Sequence, residues 1–141
     1  MYGMFARCLL FNQPLDKWKT ESLLEINEMF ENCKEFNQNI NSWDVSKVRS
    51  MAWIFKDCVK FNQPLNNWDV RNVKNMRHMF LRCEEFNQDL SEWKLENIKL
   101  IGRMFVGCDK FDCDLEKWID YLKNDEDIFY IMEYIRNSFI Y

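Results

Sequence analysis

Hydrophobic and polar positions recur along this chain with a fixed period of 25 residues. One tryptophan and one cysteine occupy the same place in every copy of the unit: Trp18, Trp43, Trp68, Trp93 and Trp118, and Cys8, Cys33, Cys58, Cys83 and Cys108. Phenylalanine fills two further columns: Phe5, Phe30, Phe55, Phe80 and Phe105, and Phe11, Phe36, Phe61, Phe86 and Phe111. A fixed interval without insertions predicts stacked copies of one unit, each burying its apolar side against the next.

Two shorter periods lie within the unit and predict its secondary structure. In the third copy, spacings of three, four and three residues separate four apolar positions: Val48, Met51, Phe55 and Cys58. This stripe is typical of an amphipathic helix of about three turns. Around the tryptophan the period changes to two, with Trp68 and Val70 on one side and Asp69 on the other, which predicts a short strand.

A strand and a helix in every unit predict an α/β fold. We expect a leucine-rich-repeat-like solenoid with one short parallel strand and one short helix per 25-residue repeat, beginning with a partial unit and covering residues 1–118. Beyond this region, acidic residues at 125–127 precede an apolar stripe: Ile128, Ile131, Met132, Ile135 and Phe139. This pattern predicts a C-terminal capping helix within residues 119–141.

An asparagine follows the second phenylalanine in four copies, and an aspartate follows it in the last: Asn12, Asn37, Asn62, Asn87 and Asp112. A bend inside a stacked repeat must pair its backbone amides. We therefore expect these side chains to bond backbone groups of their own or the neighbouring unit, and not to act in catalysis.

The third and fourth copies carry a motif that resembles a known repeat. Residues 61–70 read FNQPLNNWDV and are followed by NVKNM at 72–76, by Met79 and Phe80, and by Cys83. This pattern, which extends over residues 4–118, resembles the repeat shared by mycoplasma surface lipoproteins and BspA-like leucine-rich repeat proteins. The resemblance implies a leucine-rich-repeat-like solenoid among proteins mostly described as surface or adhesion proteins. It supplies no catalytic motif.

Composition narrows the classes of function. The 141 residues are 48% hydrophobic and 30% charged, which is typical of a globular protein and not of a disordered one. A net charge of −4 disfavours a nucleic-acid partner, because such binding depends on clustered lysine and arginine. The sequence has no apolar run long enough to span a membrane and no secretory signal. We therefore expect an intracellular protein without membrane insertion, with a surface location only if the sequence is a fragment.

The cysteine column has three interpretations. Stacked units would place neighbouring column cysteines close enough for disulfides, but five in a row leave one unpaired. Zinc is disfavoured because four sulfurs along a line cannot surround one ion tetrahedrally. Buried free thiols are favoured, since each cysteine ends an apolar stripe. We expect no metal, and Cys113 lies outside the column as an exposed, reactive candidate.

Enzymatic chemistry is not indicated by the residues. His78 is the single histidine, so no recurring acid, base or nucleophile pair can be built around histidine. Three glycines are too few for a phosphate-binding loop. We therefore predict a non-enzymatic protein without a cofactor.

The positions beside each tryptophan vary in charge and size while the core columns stay fixed. These candidate partner-binding residues are Lys17, Lys19, Ser42, Asp44, Asn67, Asp69, Glu92, Lys94 and Lys117. Repeat proteins use such a face as an extended binding surface, so we expect a protein partner on the strand face. The alternative is a structural or assembly protein. It would form homo-oligomers through its N-terminal end, where neither a strand nor a polar cap precedes Met4 and Phe5.

Overall fold

The computed structural model describes residues 1–122, Phe129 and residues 131–134. Residues 1–122 form a stack of 25-residue coils, 1–25, 26–50, 51–75 and 76–100, followed by a shorter last coil, 101–122. Isolated parallel β-bridges join the final residues of successive coils, Glu25 to Ser50, Ser50 to Asn75 and Asn75 to Leu100. A 3-10 helix spans Glu116–Tyr121, and residues 131–134 are helical.

The predicted α/β solenoid with a strand and a helix in every repeat is wrong. Residues 1–115 contain no helix, and their β-structure consists of the isolated bridges alone. The coils are built instead from consecutive turns that hydrogen-bond to the coils on either side. The 25-residue period is therefore a period of turns and not of strands and helices.

Backbone hydrogen bonds explain why the apolar stripe of the third coil is not a helix. Alternate N–H groups donate to carbonyl oxygens of the next coil at 2.8–3.0 Å: Met51 to Asn75, Trp53 to Arg77, Phe55 to Met79 and Asp57 to Leu81. The intervening N–H groups close turns three residues back: Ile54 to Met51, Lys56 to Trp53 and Cys58 to Phe55. An α-helix would instead pair each N–H with the carbonyl four residues back.

Left-handed residues interrupt the stripe at two positions in every coil. The positive φ angles fall at Gly3, Glu28, Trp53, His78 and Arg103, and at Arg7, Asn32, Asp57, Arg82 and Gly107. Trp53 has a φ of 56° and Asp57 a φ of 60°, whereas a right-handed helix requires negative φ throughout. The buried side chains keep the spacing of a helix, but the backbone between them does not.

The predicted strand around Trp68 is also a turn, because the Trp68 N–H donates to the carbonyl oxygen of Leu65 at 3.1 Å. Period-two alternation holds for the side chains: Trp68 and Val70 are buried and Asp69 is half-buried. The β-bridge of this coil lies seven residues later, at Asn75. Alternation of burial therefore occurs here without the ladder of hydrogen bonds that defines a strand.

The core consists of ladders of identical side chains that run through the stack. Phenylalanine rings of neighbouring coils lie 5.6–6.0 Å apart between centroids in each column, and the two rings of one coil lie 4.1–4.2 Å apart. The asparagine column forms a second ladder, in which Asn62 Oδ1 accepts the Asn87 N–H at 2.9 Å and Gln88 Nε2 at 2.8 Å. Each coil thus repeats the contacts of the coil before it.

The last coil is covered by residues that follow the repeats. The Tyr134 ring lies 5.6 Å from both Phe105 and Phe111, and its hydroxyl donates to the Phe111 carbonyl oxygen at 3.1 Å. Ile131 is buried beside it. Of the capping helix predicted within 119–141, residues 123–128, 130 and 135–141 lie outside the described residues, among them Ile128, Ile135 and Phe139.

Candidate protein-interaction surface

The turn that carries each tryptophan places the residues beside it on the outside of the stack. The Trp-flanking surface comprises Lys17, Lys19, Ser42, Asp44, Asn67, Asp69, Glu92, Lys94 and Lys117. Eight of these residues are exposed and Asp69 is half-buried. They lie on successive coils, so the structure brings together residues that the sequence separates by 25 positions.

The tryptophan side chain fixes the orientation of this turn. Trp68 Nε1 donates to the Ile40 carbonyl oxygen of the preceding coil at 3.0 Å. The same bond recurs at 3.0–3.1 Å from Trp43 to Leu15, from Trp93 to Leu65 and from Trp118 to Leu90. Because the indole is held inward, the residues immediately before and after it face solvent.

One column of the surface, from Lys19 through Asp44 and Asp69 to Lys94, holds two carboxylates on neighbouring coils. The Asp44 carboxylate accepts the backbone N–H and the hydroxyl of Ser46, and these bonds hold the pKa of Asp44 below its usual value. The guanidinium of Arg71 binds the Asp69 carboxylate and lowers its pKa in the same way. Both carboxylates are therefore ionised at neutral pH and lie next to each other.

Some charged columns elsewhere on the stack are paired between coils. Lys60 binds Glu35 at 2.6 Å, Lys56 binds Glu31 at 2.6 Å, and Lys110 binds Glu85. On the Trp-flanking surface, Lys117 pairs with Glu92 in this way. Within the described residues, no such pair joins Lys19 to Asp44 or Asp69 to Lys94, so this column differs from the columns that hold those pairs.

The thiols of the cysteine column are part of the core. Cys33, Cys58, Cys83 and Cys108 are buried and free. The Sγ atom of Cys58 donates to the Phe30 carbonyl oxygen at 2.9 Å, and the other three thiols bond phenylalanine carbonyls in the same way. Burial raises the pKa of Cys33 to about 12 and that of Cys58 well above its usual value. Thiols held protonated in this way are poor nucleophiles.

Two cysteines differ from this column. Cys8 is exposed, because it lies on the first coil. Cys113 is half-buried, and burial raises its pKa also. Its Sγ atom lies 3.4 Å from the Leu90 N–H and 3.6 Å from an Asp89 oxygen. Cys113 is thus less accessible than an exposed thiol would be.

Other candidate chemistry does not gather into a site. Among the described residues, no three histidine, cysteine, aspartate or glutamate side chains are grouped so that they could hold a metal ion. His78 is half-buried, and its ring stacks on Trp53 with centroids 5.4 Å apart. A helix of the length and apolarity needed to cross a membrane is not found in the part of the chain that the structure describes.

The first coil exposes an apolar surface that the sequence reasoning missed. Six of the nine exposed large hydrophobic residues that the structure describes belong to this coil: Met1, Tyr2, Met4, Leu9, Leu10 and Leu24. The sequence does indicate this surface, because two columns that begin with leucine continue with charged residues. Leu10 begins a column that continues as Glu35, Lys60, Glu85 and Lys110, and Leu24 begins one that continues as Arg49, Lys74 and Lys99.

Comparison with known proteins gives a family but no characterised relative. A search of curated proteins and a search of solved structures each found no match to the chain. The sequence pattern of one family, a repeat family associated with Mycoplasma, matches nearly the whole chain. Since that match covers residues 1–134, the chain belongs to the family described as "Mycoplasma protein of unknown function, DUF285".

Proposed function

We propose that this protein is a non-enzymatic interaction module that binds another protein through the Trp-flanking surface. The observation that supports this most directly is the pair of carboxylates, Asp44 and Asp69, on adjacent coils. Like charges on neighbouring side chains destabilise a fold by a few tenths of a kcal/mol. A positively charged group on a partner would offset the repulsion.

Rigidity of the surface favours this function. From the second coil on, each tryptophan turn is fixed by an indole hydrogen bond to the preceding coil and by buried neighbours. A surface already fixed in its binding geometry loses little conformational entropy when a partner docks. Side chains projecting from such a scaffold therefore contribute more of their interaction energy to affinity.

The charge pattern indicates the chemistry of the partner. The column begins with Lys19 and ends with Lys94, and the two aspartates lie between them. A complementary protein would carry basic side chains opposite Asp44 and Asp69 and acidic ones opposite the two lysines. Such complementarity governs the association rate and the choice of partner more than the affinity itself.

The repeat sequence supports a binding role in a second way. It resembles the repeats of mycoplasma surface lipoproteins and BspA-like proteins, which are mostly described as surface or adhesion proteins. The family to which the chain belongs is described as one of unknown function, so it names no activity. An intracellular location for this chain stays a prediction from the sequence.

The test replaces the two carboxylates without disturbing the turns that they stabilise. In Asp44→Asn with Asp69→Asn, the side-chain oxygen remains to accept the N–H groups of Ser46 and Arg71. Parent and variant, immobilised at equal density, are used to capture proteins from lysate of the native cell at low and moderate salt. We expect at least one protein to bind the parent and its recovery to fall about tenfold or more with the variant.

A matched control removes the same number of charges from another side of the stack. Glu84 and Asp109 are exposed on adjacent coils, outside the Trp-flanking surface. Glu84→Gln with Asp109→Asn should retain the captured protein at the parent level. Equal recovery by the two double variants, or no specific protein at all, would rule out the Trp-flanking surface as the binding site.

A further inference from the structure

Consecutive coils make the same set of contacts throughout the stack. The first coil exposes the groups that later coils use to bond the coil before them. In later coils, three side-chain or backbone donors point to the coil before: the column thiol, the asparagine N–H and the indole N–H. On the first coil these groups are Cys8 Sγ, the Asn12 N–H and Trp18 Nε1. Within the described residues they make no hydrogen bond.

The same end of the stack presents acceptors as well as donors. The carbonyl oxygens of Asn27 and Met29 accept N–H groups of the first coil, and the equivalent oxygens of the first coil belong to Tyr2 and Met4. Neither of these two oxygens accepts a hydrogen bond within the described residues. Acceptors thus occupy one stretch of the first coil, and the donors of residues 8–18 occupy the next.

Apolar side chains surround these polar groups. Leu10 is 84% exposed, Tyr2 69% and Leu24 54%. In later coils the columns of Leu10 and Leu24 carry charged residues throughout. The change to leucine is thus confined to the first of the described coils. Exposed apolar side chains grouped around one end of a folded chain mark an interaction site.

The opposite end of the stack is closed to a further coil. Tyr134 lies over Phe105 and Phe111, in the place where the next pair of phenylalanine rings would stack, and Ile131 is buried in the same core cluster. A second copy therefore cannot add its first coil to the last coil of this one without displacing those residues. The end of a second copy that can pack on this first coil is therefore the second copy's own first coil.

We infer that two copies of this chain associate through their first coils around a two-fold axis. A two-fold axis in the plane of this end can set the acceptor stretch of one copy over the donor stretch of the other, and it buries both apolar surfaces. Such an isologous contact closes on itself, so assembly stops at the dimer. This inference does not rest on the proposed binding function, because the Trp-flanking surface is not required for it.

Sedimentation equilibrium of the full chain tests the inference over a range of about 1 to 300 μM. We expect a reversible monomer–dimer equilibrium with no larger species. Leu10→Glu places a like charge at the two-fold contact in a column that already accepts Glu35 and Glu85, so it should raise the dimer dissociation constant at least tenfold. Val106→Glu is the matched control. It lies at the other end of the stack, is 49% exposed and occupies a column that contains Glu31.

Alkylation of Cys8 provides an independent measurement of the contact. Its rate with iodoacetamide should fall as protein concentration rises, while the rate at Cys113 on the last coil stays constant.

In the sedimentation experiment, growth beyond the dimer would indicate a head-to-tail contact and overturn the inference. A monomer at every concentration, or equal dimerisation of the parent and Leu10→Glu, would also overturn it.

Discussion

At the residue scale, the tryptophan column combines packing with one specific hydrogen bond. The indole of Trp68 is buried and gives its N–H to the carbonyl oxygen of Ile40. The same oxygen also accepts the Trp43 N–H at 3.1 Å, so the indole adds a second hydrogen bond, which stabilises the fold by about 0.5 to 1.5 kcal/mol. Tryptophan is thus retained at this position for its ring volume and for a donor that phenylalanine lacks.

Trp68→Phe should lower the free energy of unfolding by about 1.5 to 3 kcal/mol, since it removes the indole hydrogen bond and part of the ring volume. Trp18→Phe makes the same chemical change on the first coil, where the indole is half-buried and bonds no preceding carbonyl. We expect it to cost about 1 kcal/mol or less. Urea unfolding followed by circular dichroism measures both values, and equal losses would contradict the role assigned to the indole hydrogen bond.

The residue scale is also where the sequence was most informative. Burial of Trp43, Phe55 and Cys58 follows from spacing alone, because a column repeated without insertion has one environment in every coil. The column thiols that are buried are free and hydrogen-bonded, as the favoured interpretation predicts. Cys8 differs, because burial also depends on a coil lying on each side.

At the element scale, the turns depend on left-handed residues at two positions in each coil. Glycine fills these positions at Gly3 and Gly107, with φ of 56° and 75°. A Cβ atom added at residue 107 would lie 2.9 Å from Arg82 Cγ and 3.3 Å from Arg82 Cα, whereas one at residue 3 would lie 3.6 Å from Ala6 Cβ. The two glycines share backbone strain but differ in the space around them.

Gly107→Ala should therefore lower the free energy of unfolding by about 2 kcal/mol and Gly3→Ala by about 1 kcal/mol. The larger value combines left-handed strain with the close approach to Arg82. Thermal unfolding of the two variants beside the parent gives the comparison. A larger loss of stability for Gly3→Ala than for Gly107→Ala would contradict the closer packing assigned to residue 107.

The elements themselves could not be predicted from local spacing. A stripe of Val48, Met51 and Phe55 has the period of an α-helix whether the N–H groups bond within the segment or to the next coil. The spacing of apolar residues reflects which side chains are buried, and the same side chains are buried in a helix and in these turns. The choice of hydrogen-bond partner depends on a carbonyl 24 residues away, which no window along the chain contains.

At the scale of the whole molecule, register holds the stack together. Ladders of phenylalanine, asparagine and cysteine all require equivalent residues to lie 25 positions apart. A change of one residue in that interval would move every inward side chain of one block against an outward one of the next. The 25-residue length of each unit is therefore required by the packing of all the ladders together and not by any single contact.

Removal of residues 51–75 joins Ser50 to Met76 and keeps the register, so we expect a folded protein with a cooperative but lower melting transition. Removal of residues 51–74 shifts the register by one. We expect this second variant to lose the near-ultraviolet circular dichroism of its stacked tryptophans, or to melt at least about 10 °C below the first. Similar melting of the two deletions would contradict a stack held by register.

The sequence by itself determined the period, the membership of a repeat family associated with Mycoplasma and the residues that face the core, because each of these depends on which side chains recur at a fixed interval. It did not determine the leucine-rich-repeat fold that the resemblance implied. Tertiary structure decided that the coils consist of turns, since partners for the backbone N–H groups come from neighbouring coils. It also decided which surfaces remain uncovered. Leu10 is exposed because the described residues place no coil against that side of the first one, whereas Phe105 and Phe111 are covered because Tyr134 packs on the last coil.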